Sequence, residues 1–159
     1  MNIPLNVMSW NVRGLNSPIK RTKCLEFLKR KNISIALIQE THLKMSDIHR
    51  FQNRCYKCVV HSSASNKSKG VAILVDRKLG VTIDKCGKDS EGRFSYVAVT
   101  VHHLKICFAS IYCPNIPDPN FFNAISLKLF AKLLVKRLEL SVSKLIHFDQ
   151  SGFLKGRLA

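Results

Sequence analysis

A chain of 159 residues has room for one domain with its own core, and a 46% hydrophobic content excludes a disordered chain. Its 26 Lys and Arg against 10 Asp and Glu leave a formal charge of +16, which attracts polyanions and makes nucleic acid the first partner to expect. A membrane surface could use the same charge. However, no apolar run is long enough to span a bilayer and no signal peptide opens the sequence, so a soluble nuclear or cytoplasmic protein is expected.

In chain order, "LNVMSW" (5–10) reads as a buried strand bounded by the loop from Asn11 to Pro18. "IKRTKCLEFLKRKN" (19–32) places Cys24, Leu25 and Leu28 at helical spacing with Lys and Arg between them, which predicts an amphipathic helix. "ISIALIQE" (33–40) is β-branched and apolar, the pattern of a strand covered on both faces, and it ends at Glu40. "SDIHRFQNR" (46–54) suggests a short helix capped by Ser46. "YKCVVHSS" (56–63) and "GVAILVDRKL" (70–79) are two further strands around a polar loop. "EGRFSYVAVTVHHLKICFASIYCPN" (91–115) alternates over two strands, with a hairpin turn within His102–Lys105. Strand–helix–strand followed by hairpins predicts a mixed sheet with helices on a face, α/β or α+β. Beyond Pro119, residues 121–146 lack Gly and Pro and repeat apolar residues at helical spacing, predicting a long helix.

The six Cys read as reduced. Cys55 and Cys58 form one C-x-x-C, but a structural zinc site needs a second ligand pair, and the other four cysteines are scattered singly. Ordinary strand cysteines are the simpler reading.

Three strands end in polar residues: Asn11, Glu40 and, in "FASIYCPN", Tyr112 followed by Asn115. In open sheets, ligands collect beyond the carboxyl ends of adjacent strands. A carboxylate there suits Mg2+, which prefers hard oxygen and keeps several waters when phosphate supplies the remaining ligands. An adjacent amide can bind a phosphate oxygen or a metal-bound water, and a phenol can donate to phosphate as charge builds on it. Taken singly, each residue has a plainer explanation: Asn11 as a turn former, Glu40 as a solvated strand end, Tyr112 as an aromatic with a wet tip. Their shared position at corresponding strand ends is what favours a site.

"MSWNVRGLNSPIKR", "IALIQETHL", "KSKGVAILVDRKL", "DSEGRFSYVAV" and "SIYCPN" together resemble the endonuclease/exonuclease/phosphatase superfamily. More narrowly, they are similar to the apurinic-type endonuclease domain of LINE-type retrotransposons, over residues from about 5 to about 126. The resemblance implies a four-layer α/β sandwich and Mg2+-dependent phosphodiester hydrolysis on DNA, with Mn2+ as the alternative ion and RNA as the alternative partner. It implies that Asn11 contacts metal and phosphate, that Glu40 is the metal ligand, that Tyr112 contacts the scissile phosphate, and that Asn115 closes the last motif structurally. Arg93 matches a family strand position to which no chemical role is assigned. Exonuclease III-like or abasic-site repair activity shares the same motifs, and a non-catalytic nucleic-acid-binding remnant is a further alternative.

The family continues with a G-D-x-N motif and a terminal S-D-H, and neither occurs here. "LKLFAKLLVKRLELSVSKLIHFDQSGFLKGR" instead resembles the opening of the reverse transcriptase domain of the same elements, upstream of its catalytic aspartates. The expected organisation is therefore 1–126, the N-terminal part of the endonuclease domain, and 127–159, a reverse transcriptase-like fragment. His147 and Asp149 are not substitutes for the missing pair, because their segment matches a different domain. Such a truncated chain is expected to supply about one of the two sheets, to expose an apolar face that the long helix covers in part, and to self-associate through it.

Overall fold

A computed structural model describes residues 5–65, 68–101, 103–113 and 118–126. The chain divides into two units, Met1–Cys113 and Pro114–Ala159. In the first, strand β1 (Val7–Asn11) leads through helix α1 (Pro18–Arg30) to β2 (Ile35–Gln39), and β1 and β2 pair in parallel. Strands β3 (Tyr56–Ser62) and β4 (Val71–Asp76) complete a sheet of order β1-β2-β4-β3. Strands β5 (Thr82–Lys88), β6 (Phe94–Val101) and β7 (Leu104–Ile111) form a second, antiparallel sheet.

Helix α1 starts where the sequence supplies a cap. The Ser17 hydroxyl accepts from Lys20 N at 3.5 Å and Pro18 sits in the first turn, where its missing N–H costs nothing. The helix buries Arg21, Cys24, Leu25 and Leu28 and ends at Lys31; the following Asn32 is left-handed at φ +52°. Trp10 on β1 packs against Phe27 with ring centroids 4.9 Å apart.

Strand β2 is continuously apolar because it serves two cores. Ala36 and Ile38 join Cys24, Leu25, Leu28, Phe51, Tyr56 and Leu74 on the helix side. Ile35 faces the other way, joining Ile73 and Val75 against Val97, Val99 and Val101 of β6. The Tyr56 hydroxyl donates to Ile33 O at 2.7 Å; burial pushes this phenol up to about 12, so it stays a donor.

Three expectations require correction. The chain contributes strands to both sheets rather than to about one, so the second sheet covers the inner face of β2, β3 and β4, while Val7, Ser9 and Asn11 on the inner face of the edge strand β1 stay exposed. Strand β5 went unread because "TIDKCGK" carries three charges and a glycine; it is an exposed edge held by its ladder to β6. The helix expected over 46–54 is only a 3-10 turn at Ile48–Arg50, preceded by Asp47 rather than Ser46 and without a side-chain cap. Of the four layers, the described residues of this unit fill three: α1 and the two sheets.

In the second unit, helix α2 (Pro119–Ile125) is capped by Asp118, whose Oδ1 accepts from Asn120 N at 3.1 Å and Phe121 N at 3.3 Å. The remainder of the long helix expected over 121–146, and the whole of the fragment 127–159, lie outside the described residues. Among the described residues no helix is long and apolar enough to cross a membrane.

Candidate active site

The carboxyl ends of β1, β2 and β7 meet at one rim, because β1 and β2 run parallel and β7 packs across β2 from the facing sheet. Asn11 opposes Gln39 on the last paired position of β1 and β2. Beyond it the two chains stay together through Val12 N to Gln39 O at 3.0 Å, Gly14 N to Glu40 O at 2.7 Å and Leu15 N to Thr41 O at 2.8 Å. From the other side, Gly70 O accepts from Thr41 N at 3.0 Å and Lys69 O from His42 N at 3.1 Å. Held between them, Glu40 and His42 adopt left-handed backbone at φ +53° and +55°, as does Arg13 at φ +48°. Three non-glycine residues in that conformation, each costing on the order of 1–2 kcal/mol, mark a segment whose shape its surroundings impose.

Three of the residues singled out in the sequence converge there. Asn11 Nδ2 donates to Glu40 Oε1 at 2.8 Å, and Asn11 Oδ1 accepts from Arg13 N at 3.0 Å. In this arrangement the amide holds the carboxylate in place. The Tyr112 phenol lies close enough to Glu40 for the carboxylate to act on it. Its pKa is raised, first by burial and then by Glu40, with Arg93 opposing the shift. Tyr112 is thereby kept as a neutral O–H donor. Asn115 lies outside the described residues.

Two further groups belong to the cluster. His42 Nε2 stands 3.9 Å from Glu40 Oε2. Arg93 extends the β6–β7 ladder by one position beyond the Phe94–Ile111 pair, with Tyr112 N donating to Arg93 O at 2.8 Å. Directly opposed residues share a face, so the guanidinium lies on the Tyr112 side of the sheet, where its charge acts on the phenol. The Asp89 carboxylate fixes this turn by accepting from Arg93 N at 3.2 Å and Phe94 N at 3.2 Å, and from the Ser62 hydroxyl. Register was the signal for Arg93, and it becomes readable only once β6 is aligned on β7.

The donor chemistry fits a hard divalent ion. Glu40 is one carboxylate, 20% exposed at an open rim, and Mg2+ is satisfied by one or two carboxylates when water and phosphate complete its shell. No group of three or more His, Cys, Asp or Glu that could hold a metal ion occurs among the described residues, so Glu40 would rely on water and phosphate for the rest of the shell. Burial pushes the Cys58 thiol up to about 12.

No protein-family profile matches this sequence. Among curated proteins, a probable RNA-directed DNA polymerase from transposon X-element of Drosophila melanogaster is 23% identical over 112 residues, covering 70% of this chain and 12% of that protein. Among solved structures, the endonuclease domain of TRAS1, a telomere-specific non-LTR retrotransposon, matches with a TM-score of 0.54 and 18% identity over 79% of this chain and 54% of that one. A humanised D. rerio TDP2 carrying 14 mutations matches with a TM-score of 0.52 and 16% identity, over 85% of this chain and 56% of that one. The fold is that of the endonuclease/exonuclease/phosphatase superfamily. At these identities the likeness is one of fold, and the chain spans little more than half the length of the solved structures it matches.

Proposed function

We propose that this chain is the N-terminal part of a Mg2+-dependent DNA endonuclease domain of a LINE-type retroelement, carrying the metal and phosphate side of the site. The observation that carries this reading is the cluster of Asn11, Glu40 and Tyr112 around one carboxylate at the strand-end rim. The likeness in fold to a retrotransposon endonuclease domain supports it, as does the formal charge of +16.

In this reading Glu40 is the metal ligand, oriented by Asn11 and flanked by His42. Bound Mg2+ supplies neutralisation of the charge that develops on the scissile phosphate. Tyr112, held protonated, donates its O–H to a phosphate oxygen, and Arg93 adds a fixed positive charge beside it. Asn115, outside the described residues, keeps in this reading only the place that the sequence motif gives it. The sequence contains neither G-D-x-N nor S-D-H, so the carboxylate and the His that would activate water are not supplied by these 159 residues. Loss of general acid–base help of this kind costs on the order of 10²–10⁴-fold in rate. Cutting by this chain alone is therefore weak or absent, while metal and DNA binding remain.

The excess of basic residues favours a second reading, in which the chain holds nucleic acid, DNA or RNA, without cutting it. One experiment separates the two. Mn2+ binding is followed by electron paramagnetic resonance, and nicking of supercoiled plasmid is scored with Mg2+ and with EDTA. The proposal expects Mn2+ binding that Glu40→Gln abolishes, with slow nicking that requires the metal. Salt-sensitive DNA retention with no Mn2+ binding assigns the chain to the second reading and overturns the first. A preference for abasic plasmid in the same assay points to the repair-type alternative.

A further inference from the structure

The interior between the two sheets is mostly aliphatic, built from Ile35, Ile73, Val75, Val97 and Val99, and turns polar towards the rim, where the buried Ser95 of β6 opposes Ser110 of β7. Directly beneath the rim, Gln39 Nε2 lies 3.1 Å from Ser9 Oγ, 3.0 Å from Leu37 O and 3.2 Å from Ser110 Oγ. The Ser110 hydroxyl in turn donates to Ile38 O at 3.0 Å. Ser110 is fully buried and Gln39 is 9% exposed, while Ser9, on the edge strand β1, is exposed to solvent. Ser9 is on β1, Gln39 on β2 and Ser110 on β7, so the cluster joins the three strands whose ends carry the candidate site. The spacing is close: Ser9 precedes Asn11 by two residues, Gln39 precedes Glu40 by one, and Ser110 precedes Tyr112 by two.

We propose that Ser9, Gln39 and Ser110 are positioning residues, whose hydrogen bonds set the relative height of β1, β2 and β7 so that Asn11, Glu40 and Tyr112 meet. This rests on the metal and phosphate reading of that cluster. Stability alone does not explain the arrangement. An apolar set of similar volume at such a place is often neutral or more stable, because buried polar groups must repay their desolvation. What apolar packing does not provide is direction. A hydrogen bond weakens steeply as its angle closes, whereas aliphatic surfaces tolerate sliding. Strands β2 and β7 belong to different sheets and share no backbone ladder, so a directional link between them has a specific use at this point. A slip between the two would carry Tyr112 away from Glu40 before it disturbed the aliphatic core below.

The test uses the full chain and Mn2+ alone as probe, with thermal unfolding recorded in parallel. Ser110→Ala and the double replacement Gln39→Met with Ser110→Ala are expected to unfold cooperatively near the wild-type temperature. They are expected to bind Mn2+ about 10-fold more weakly, the lower end of what supporting partners of a metal ligand contribute. Ser110→Thr, which keeps the hydroxyl, is expected to restore affinity. Variants that bind Mn2+ within twofold of wild type overturn the inference alone, as does a Ser110→Thr chain no better than Ser110→Ala. If the double replacement does not fold, the single Ser110 variants still decide between these outcomes. A wild-type chain that binds no Mn2+ overturns the parent reading and the inference with it.

Discussion

Gly70 offers a quantitative test of how the rim is shaped. It adopts φ +139°, a region that L side chains rarely enter, and a Cβ built there overlaps Thr41 Oγ1 and comes 3.5 Å from His42 N. Thr41 is 1% exposed and its N–H is bonded to Gly70 O at 3.0 Å, so it has nowhere to retreat. Gly70→Ala therefore combines backbone strain of about 1–3 kcal/mol with overpacking of about 1–3 kcal/mol. The sum, about 2–6 kcal/mol, is a large share of the stability of an ordinary domain. For a chain of this size it lowers Tm by roughly 5–20 °C. Gly80 supplies the matched control, with φ +62° and nothing within 4 Å of its added Cβ. There only the left-handed cost of about 1–2 kcal/mol applies. Differential scanning calorimetry of both variants gives the comparison directly. A Gly70→Ala chain that loses no more Tm than Gly80→Ala would refute the claim that Thr41 and Gly70 are locked together, and with it the explanation for the left-handed Glu40.

Other outcomes follow from the same geometry. Tyr112→Phe removes the phenol O–H beside Glu40, and it is expected to weaken retention of a DNA duplex by several-fold while leaving Tm nearly unchanged; a large loss of Tm would make Tyr112 a core residue instead. Asp89→Ala takes the carboxylate acceptor from the Arg93 and Phe94 amides, while the Ser62 hydroxyl keeps the Asp89 carbonyl and Gly92 N as partners, and urea unfolding is expected to show a loss of about 1–3 kcal/mol. Ser95 is buried with an Oγ that finds no hydrogen-bond partner among the described residues, so Ser95→Ala is expected to leave urea stability equal or higher by up to about 1 kcal/mol. His61, beside Met45 Sδ at 3.2 Å, has its pKa lowered by burial and then by Lys88. The folded state therefore favours the neutral ring, and stability is fully present above about pH 6.5 and lost as pH falls through the folded value. His61→Gln should flatten the urea midpoint between about pH 7 and about pH 5 relative to wild type, and an unchanged slope would contradict that assignment.

Much of the fold was legible locally. The helix at Pro18–Arg30 has its cap and its apolar spacing written in consecutive residues, and β2 and β4 are runs of β-branched and aliphatic residues that suit little else. Strand β5 was not legible, since an edge strand of Lys, Asp and Gly is held by the backbone of its neighbour and leaves almost no side-chain pattern. The short helix expected after Ser46 failed for a related reason: one polar residue before an apolar one is a weak signal, and a 3-10 turn serves the same connection.

Asn11, Glu40 and Tyr112 were identifiable because each follows an apolar strand with a polar residue at its carboxyl end, a pattern one strand can display by itself. Whether they meet depends on how three strands in two sheets are aligned, and no local stretch carries that information. The same holds for Arg93, which reaches Tyr112 only through the β6–β7 register, and for Gln39, whose partners lie 30 and 71 residues away along the chain. Local propensity and periodicity act within a few residues of each position, so they determined the elements and their polar ends. The convergence on one carboxylate, and the left-handed backbone that presents it, were decided by tertiary packing, because only there do distant strands impose a shape that no single segment would adopt alone.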